Sequence, residues 1–445
     1  MTQILVASTV FGAMSLAAAM DASLLGPRDQ RRILLVSNNA SAPEVVPPLT
    51  EAPGFEALRG HVDEVVSWNE LLWPTHPSTW SPRNQDRPLV ARLLRRYWNL
   101  EDGEPLHLVV ESIQVPPARA LAAIFDDARV TVYSDGLMSY GPSRESPPRE
   151  MATRIDRLLY LDLVRGLEPL QLTEYPDVER IAIPADAFRG VVKEVAALAG
   201  DDASPPRDDL SGAPLIIGQY LADLEFLSPQ EEDELHARML HGLAGQGHRT
   251  VLFKPHPSST RRTFRALRRC ADGCDVDLVV LDTPLPVEVW YETLSPSLVV
   301  GCFSTGLTTA ASFYGVPVVT VGAELLLKRV APYQNSNRIP ITLADALLPQ
   351  LEDTGEVLPP RIPEERVGEE LTPLLTAVSY CMQNSTYPHL RDETVAYLNG
   401  QPSDVTTRYF KRRRLTALRL PGAVQRRYPE WLVAGARRIR GRGRG

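Results

Sequence analysis

The chain has 445 residues, 44% of them hydrophobic and 23% charged, with a formal net charge of −8. One hydrophobic core rarely fills so long a chain, so two or three domains are expected, and the composition excludes wholesale disorder. Four cysteines over this length exclude a disulfide framework and fit a reducing compartment.

Residues 1–20 are apolar and end in small residues, as a signal peptide does, but they lack its basic leading segment. They also read as a strand over Gln3–Ala7, a turn near Gly12 and a helix from Ala13, which is the reading taken here. No run of 18 or more residues is uniformly apolar, so no membrane-spanning helix is expected. Further strands are expected near Ile33–Val36, Val62–Val66, His107–Val110 and Arg129–Tyr133, with helical stretches such as Leu89–Tyr97 and Ala118–Phe125 between them. Alternation of this kind implies a parallel sheet covered on both faces.

The stretch 200–214, GDDASPPRDDLSGAP, has no periodicity and reads as a linker. The alternation then restarts with strands near Leu215–Ile217, Thr250–Phe253, Val276–Leu281, Leu298–Val300 and Val316–Val321. The expected organisation is an N-terminal Rossmann-like domain (1–199), the linker, a second Rossmann-like domain (215–345), a helical region (346–407) and a basic tail (408–445). In such sheets, ligands sit beyond the carboxyl ends of the strands.

Four constellations fall at expected strand ends. Asp135 follows the strand Arg129–Tyr133 and precedes Gly136, so a turn can project its carboxylate, either as a general base or as an ordinary turn aspartate. Lys254 directly follows the next domain's strand, and His256 stands between Pro255 and Pro257, in the run FKPHPSS. The prolines fix the backbone and offer no N–H, so any phosphate must be met by side chains. Ser304 and Thr305 open a helical run, where free N–H groups suit a phosphate or simply need a cap. Glu288 stands in a first helical turn, favourable to the dipole or available to ribose hydroxyls.

Asp275-Val276-Asp277 has the look of a D-x-D metal motif but lacks further acids and reads as a solvated strand start. Cys270 and Cys274 have C-x-x-x-C spacing without a nearby histidine in sequence and read as ordinary thiols, so no metal site is expected. No P-loop, H-E-x-x-H, G-x-S-x-G or G-x-G-x-x-G match falls in a fitting context. Residues 408–445 carry 13 Lys/Arg and one acid, a local +12 that leaves −20 for the rest. That tail reads as a solubilising segment or as an anchor on an anionic membrane surface, with Trp431, Leu432 and Val433 entering the interface. No nucleic-acid module is recognisable.

An acidic-Gly motif in the first domain, a His-Pro motif in the second and a Ser-Thr pair before a later helix together resemble the bacterial sialyltransferases, most closely their polysialyltransferase-like branch. ILLVSNN at Ile33–Asn39, SIQV at Ser112–Val115, YSDGLMSYGP at Tyr133–Pro142 and IIGQ at Ile216–Gln219 extend the resemblance over roughly residues 1–330. It implies a GT-B fold with C-terminal helices packing back on the first domain, and inverting, metal-independent transfer of sialic acid from CMP-sialic acid to a glycan or glycolipid hydroxyl, with no cofactor. It further implies Asp135 as base, His256 assisting departure of the phosphate, and Ser304 and Thr305 binding it. Gly218, Lys254 and Glu288 would hold the cytidine, and Asn38, Asn39 and Arg144 would face the acceptor or the sugar. The family motif carries two acids before glycine; here Ser134 stands in place of the first. Transfer of another nucleotide-activated sugar, or non-catalytic nucleotide or glycan binding, remains the alternative. The expected location is cytoplasmic, with peripheral contact at the inner membrane face.

Overall fold

The computed structural model describes residues 1–40, 42–205, 207–256 and 261–423, without the side chains of 208 and 261–264. Among them, two seven-stranded sheets share one strand order. The first contains β1 (Thr2–Ala7), β2 (Arg32–Val36), β3 (Glu64–Ser67), β4 (Leu106–Val110), β5 (Arg129–Ser134), β6 (Ile155–Leu161) and β7 (Glu179–Ile183). Its order is β3-β2-β1-β4-β5-β6-β7, every pair parallel. The second contains β8 (Leu215–Ile217), β9 (Thr250–Lys254), β10 (Asp277–Val280), β11 (Val299–Gly301), β12 (Val318–Thr320), β13 (Gln350–Leu351) and β14 (Val357–Leu358). Its order is β10-β9-β8-β11-β12-β13-β14, with only the short β13–β14 pair antiparallel. In each sheet the strand order reverses beside the first strand, between β1 and β4 and between β8 and β11.

The apolar N-terminus is the centre of the first sheet. All six residues of β1 are buried, as expected of a strand flanked on both sides in a covered parallel sheet. Two residues past the strand, the Thr9 hydroxyl accepts the Gly12 N–H at 2.9 Å to start the Val10–Asp21 helix. That helix has no polar face because it lies between the sheet and the Ala185–Ala199 helix.

Four strands were not foreseen, β6, β7, β13 and β14, and the first two have legible reasons. Asp156 and Arg157 interrupt the apolar run of β6, and Asp156 instead pairs with Arg129 on β5. The outer strand β7 leaves Glu179 and Ala182 exposed. The linker is docked rather than free: Ala203 and Leu210 are buried, and the Gly212 N–H donates to the Leu294 carbonyl at 2.9 Å.

Several contacts fasten the two halves together. Rings of Phe11, Phe188 and Phe313 stack in series at 5.2 and 5.7 Å, from the first sheet's helices to the Thr305–Tyr314 helix of the second. Ser312 donates to the Leu163 carbonyl at 2.8 Å. From the C-terminal region, the buried Tyr387 hydroxyl donates to Glu174 at 2.5 Å and accepts the Ser143 N–H at 2.9 Å.

The segment read as a basic tail from residue 408 is folded through Leu420, a correction to that reading. Arg408 forms a two-pronged pair with the fully buried Asp345, both contacts 2.6 Å, and meets Glu324 at 2.8 Å. Lys411 donates to the Val330 carbonyl and Arg414 to the Cys381 carbonyl. Of the KRRR run, Arg412 and Arg413 alone remain exposed. Residues 424–445, with Trp431, Leu432 and Val433, lie outside the described residues, as do Pro257, Ser258 and Ser259. Among the described residues no helix is long and apolar enough to cross a membrane.

Candidate active site

The carboxyl ends of β1, β4 and β5 converge on Asp135. A Cβ on Gly12 would lie 3.3 Å from an Asp135 carboxylate oxygen and 3.0 Å from the Tyr133 hydroxyl, so the absence of a side chain at position 12 lets the helix start approach these groups closely. Tyr133 is held by donating to the Val6 carbonyl at 2.9 Å. β4 ends in a residue not singled out from the sequence, Glu111, whose carboxylate accepts the Ser8 hydroxyl at 2.7 Å. Burial, then the charge of Glu111, then that of Glu288, push the Asp135 carboxyl up to about 8. Burial raises Glu111 as well. Glu111 therefore restores a second acid beside Asp135 where Ser134 removed one from the motif. Its signal in the sequence was a lone charge closing the apolar strand LHLVV.

The second sheet brings its residues within electrostatic reach of this turn. Gly218 donates its N–H to the Lys254 carbonyl at 2.9 Å, and a Cβ there would lie 2.9 Å from the Phe253 ring. Lys254 is buried at 4% exposure, and its ammonium donates to the Thr283 carbonyl at 2.8 Å and the Pro255 carbonyl at 3.2 Å. Burial lowers it to about 8 against the raising charges of Asp282 and Glu288. His256 lies against the Tyr220 ring, centroids 4.0 Å apart, and burial, followed by Lys254, lowers the imidazole to about 4. It is thus neutral near pH 7 in the unliganded protein. Glu288 accepts the Thr309 hydroxyl at 2.7 Å and is raised to about 7, mainly by burial.

Ser304 caps the Thr305–Tyr314 helix, accepting the Gly306 N–H at 3.2 Å. Thr305 is the first residue of that helix and directly faces the first domain: a Cβ on Gly136 would lie 3.1 Å from its hydroxyl oxygen. The Asp135-Gly136 turn and the Ser304-Thr305 helix start therefore meet across the cleft. The charge of Glu288 reaches Asp135, and that of Lys254 reaches both Glu288 and His256, which ties the four groups into one electrostatic cluster.

Of the three other expected residues, Asn38 and Asn39 serve local roles and Arg144 joins the two halves. Asn38 donates its amide to the carbonyls of Pro43 and Val46 and accepts the Ala40 N–H, which occupies the side chain in shaping its own loop. Asn39 accepts the Ser37 hydroxyl at 2.8 Å. Arg144 donates to Ser336 of the second half, while its N–H donates to Gln114 at 3.2 Å. A surface cavity of about 250 Å³, lined by Arg238, Thr320, Glu324, Lys328 and Gln350, holds none of these residues.

Two doubly wound domains, with the Asp135–Gly136 turn of one meeting the Ser304–Thr305 helix start of the other, have the GT-B architecture, here that of a glycosyltransferase. The sequence profile of the alpha-2,8-polysialyltransferase family matches residues 3–323, and the chain belongs to that family. No curated protein sequence matches it. Among solved structures it is similar to the GT-B domain of a sialyltransferase from Photobacterium damselae, at 11% identity and TM-score 0.40 over 77% of this chain and 96% of that one. It is also similar to the E. coli heptosyltransferase WaaC with ADP-2-deoxy-2-fluoro heptose, at 15% identity and TM-score 0.34, covering 72% and 88%. A UDP-N-acetylglucosamine 2-epimerase matches at 11% identity and TM-score 0.44, covering 91% and 97%.

Proposed function

We propose that this glycosyltransferase moves sialic acid from CMP-sialic acid to a glycan or glycolipid hydroxyl, with inversion and without a required metal. The observation that carries this reading is the raised carboxylate of Asp135, set across the cleft from the Ser304–Thr305 helix start and the Lys254–His256 strand exit. Family membership supports the sugar, and the placement of the groups supports the direction of transfer.

In this mechanism the phosphate of the donor lies at the start of the Thr305–Tyr314 helix, where the capped end supplies N–H groups and the Ser304 and Thr305 hydroxyls. Lys254, Gly218 and Glu288 surround the nucleoside. Breaking the sugar–phosphate bond moves an electron pair onto the phosphate and leaves an oxocarbenium-like sugar. Fixed donors aimed at that phosphate stabilise the charge only as it develops, which is what accelerates the step. A neutral His256 donates a single N–H to the departing phosphate, and the phosphate's own negative charge draws the imidazole toward protonation.

Asp135 takes the proton of the attacking hydroxyl from the opposite side. A carboxylate at about 8 is a far stronger base than an ordinary aspartate, and it lies near the pH at which it has to work. The family resemblance assigns Arg144 and the Asn38–Asn39 loop to the acceptor or the sugar. The C-terminal basic segment gives the enzyme peripheral contact with an anionic membrane surface on the cytoplasmic side, through Arg412, Arg413 and the residues beyond 423.

Incubation of the purified chain with labelled CMP-sialic acid and a panel of glycan acceptors, read by mass spectrometry, tests the assignment. Sialylated product with stoichiometric CMP release is expected. Turnover of UDP- or ADP-linked sugars instead, with CMP-sialic acid left intact, would replace this donor with another.

A further inference from the structure

Outside the cleft, helix packing on the second sheet assembles one cluster of soft ligands. Cys270 and Cys274 stand one helical turn apart where the Arg261–Gly273 helix ends, so both thiols face the same side. That side packs against the Pro229–Gly245 helix, which delivers His241. The His241 Nε2 lies 3.4 Å from the Cys270 Sγ, and the ligand atoms of all three residues lie within 4.8 Å of one another. His241 is 29 residues before Cys270, so local spacing gave no sign of it.

The dimensions suit one ion. Tetrahedral zinc with Zn–S of about 2.3 Å and Zn–N of about 2.0 Å holds neighbouring sulfur and nitrogen ligands roughly 3.6 Å apart. The observed sulfur–nitrogen separation is already close to this, and small side-chain rotations close the remainder. Two thiols with an imidazole form a donor set that favours zinc over calcium, magnesium or manganese. Both cysteines are partly buried and His241 is exposed, which leaves a fourth position open to water.

We propose that His241, Cys270 and Cys274 bind a zinc ion that clamps these two helices together. Each thiol enters as a thiolate, so two protons pass to solvent as the ion binds. The site is structural. β9 delivers Lys254 at its carboxyl end, and the Arg261–Gly273 helix returns the chain to the opposite end of the sheet, where β10 starts at Asp277. The cluster therefore lies at the far end of the sheet from the transfer chemistry, and the proposal stands whether or not the donor is CMP-sialic acid.

The test uses the full chain, reduced and stripped with a chelator, then titrated with Co²⁺. Saturation at a single equivalent is expected, with thiolate-to-cobalt charge-transfer absorption that Zn²⁺ abolishes by displacement. Zinc should slow alkylation of Cys270 and Cys274 at least ~10-fold, the Cys270→Ser/Cys274→Ser variant should lose the absorption, and His241→Ala should weaken zinc binding by roughly 10-fold or more. Absence of charge transfer in the folded, reduced chain, or absorption that survives in the double variant, would overturn the proposal. Equal alkylation with and without zinc would overturn it too.

Discussion

Gly136 and Thr305 touch across the cleft: a Cβ on the glycine would sit 3.1 Å from the threonine hydroxyl oxygen. That approach places the Asp135 carboxylate, one residue before Gly136, opposite the helix start that receives the phosphate in the proposed mechanism. It also explains why the charges of Glu111 and Glu288 both raise Asp135 although the three acids come from both halves of the chain.

The first prediction concerns Glu111. Asp135 acts as a base only when ionised, so kcat/KM should rise as pH increases through about 8, where the buried carboxyl loses its proton. The Glu111 charge is one cause of that elevation. Glu111→Gln removes it, lowers the Asp135 value and shifts the ascending limb of the pH profile to lower pH. Transfer rates measured across the pH range check this; an unmoved limb would exclude Glu111 from tuning the base.

The second concerns His256. Its N–H is proposed to meet the phosphate as negative charge builds there, so His256→Ala should lower kcat by roughly 100-fold, the usual cost of one well-placed donor. CMP affinity, measured by calorimetry, should change far less. Equal losses in affinity and turnover would mean that the histidine only holds the nucleotide.

The third is structural. Arg408→Ala strips the fully buried Asp345 of its two-pronged partner and leaves it only the Tyr409 hydroxyl and the more distant Arg361. Loss of about 3 kcal/mol of stability is expected from an orphaned buried charge, read by denaturant unfolding. Arg412→Ala, at an exposed position, should leave stability within about 0.5 kcal/mol of the parent.

Those residues also fix how membrane contact must be tested. Deletion from 408 would remove Arg408 and confound binding with unfolding, whereas deletion after 423 leaves the folded segment intact. With vesicles rich in anionic lipid, the full chain should float and the chain ending at 423 should float less, more so at low salt. Equal recovery of both would leave the basic residues without a membrane role.

Much of this architecture could be read from the sequence because the central parallel strands are buried on both faces and so appear as uninterrupted apolar runs, as in ILVA of β1 or VLF of β9. β6 and β7 escaped because Asp156, Arg157 and Glu179 trade apolar character for ion pairs. Asp135, Lys254 and Ser304 were legible because they follow such runs directly. Glu111 does too, but no glycine or proline marks it, and its importance depends on strand order, which brings β4 next to β5. The pairing of His241 with Cys270 depends on helix packing, and the lowered His256 depends on burial under Tyr220 and beside Lys254. Neither is a property of local spacing.

The central claim is that Asp135 deprotonates the acceptor while the other lip of the cleft holds the donor. It is tested most directly by Asp135→Asn in a single-turnover assay with CMP-sialic acid and acceptor, alongside calorimetric titration of CMP. The account predicts CMP affinity equal to the parent's and sialyl transfer reduced by at least about 100-fold. Transfer at the parent's rate by a folded Asp135→Asn enzyme would contradict it.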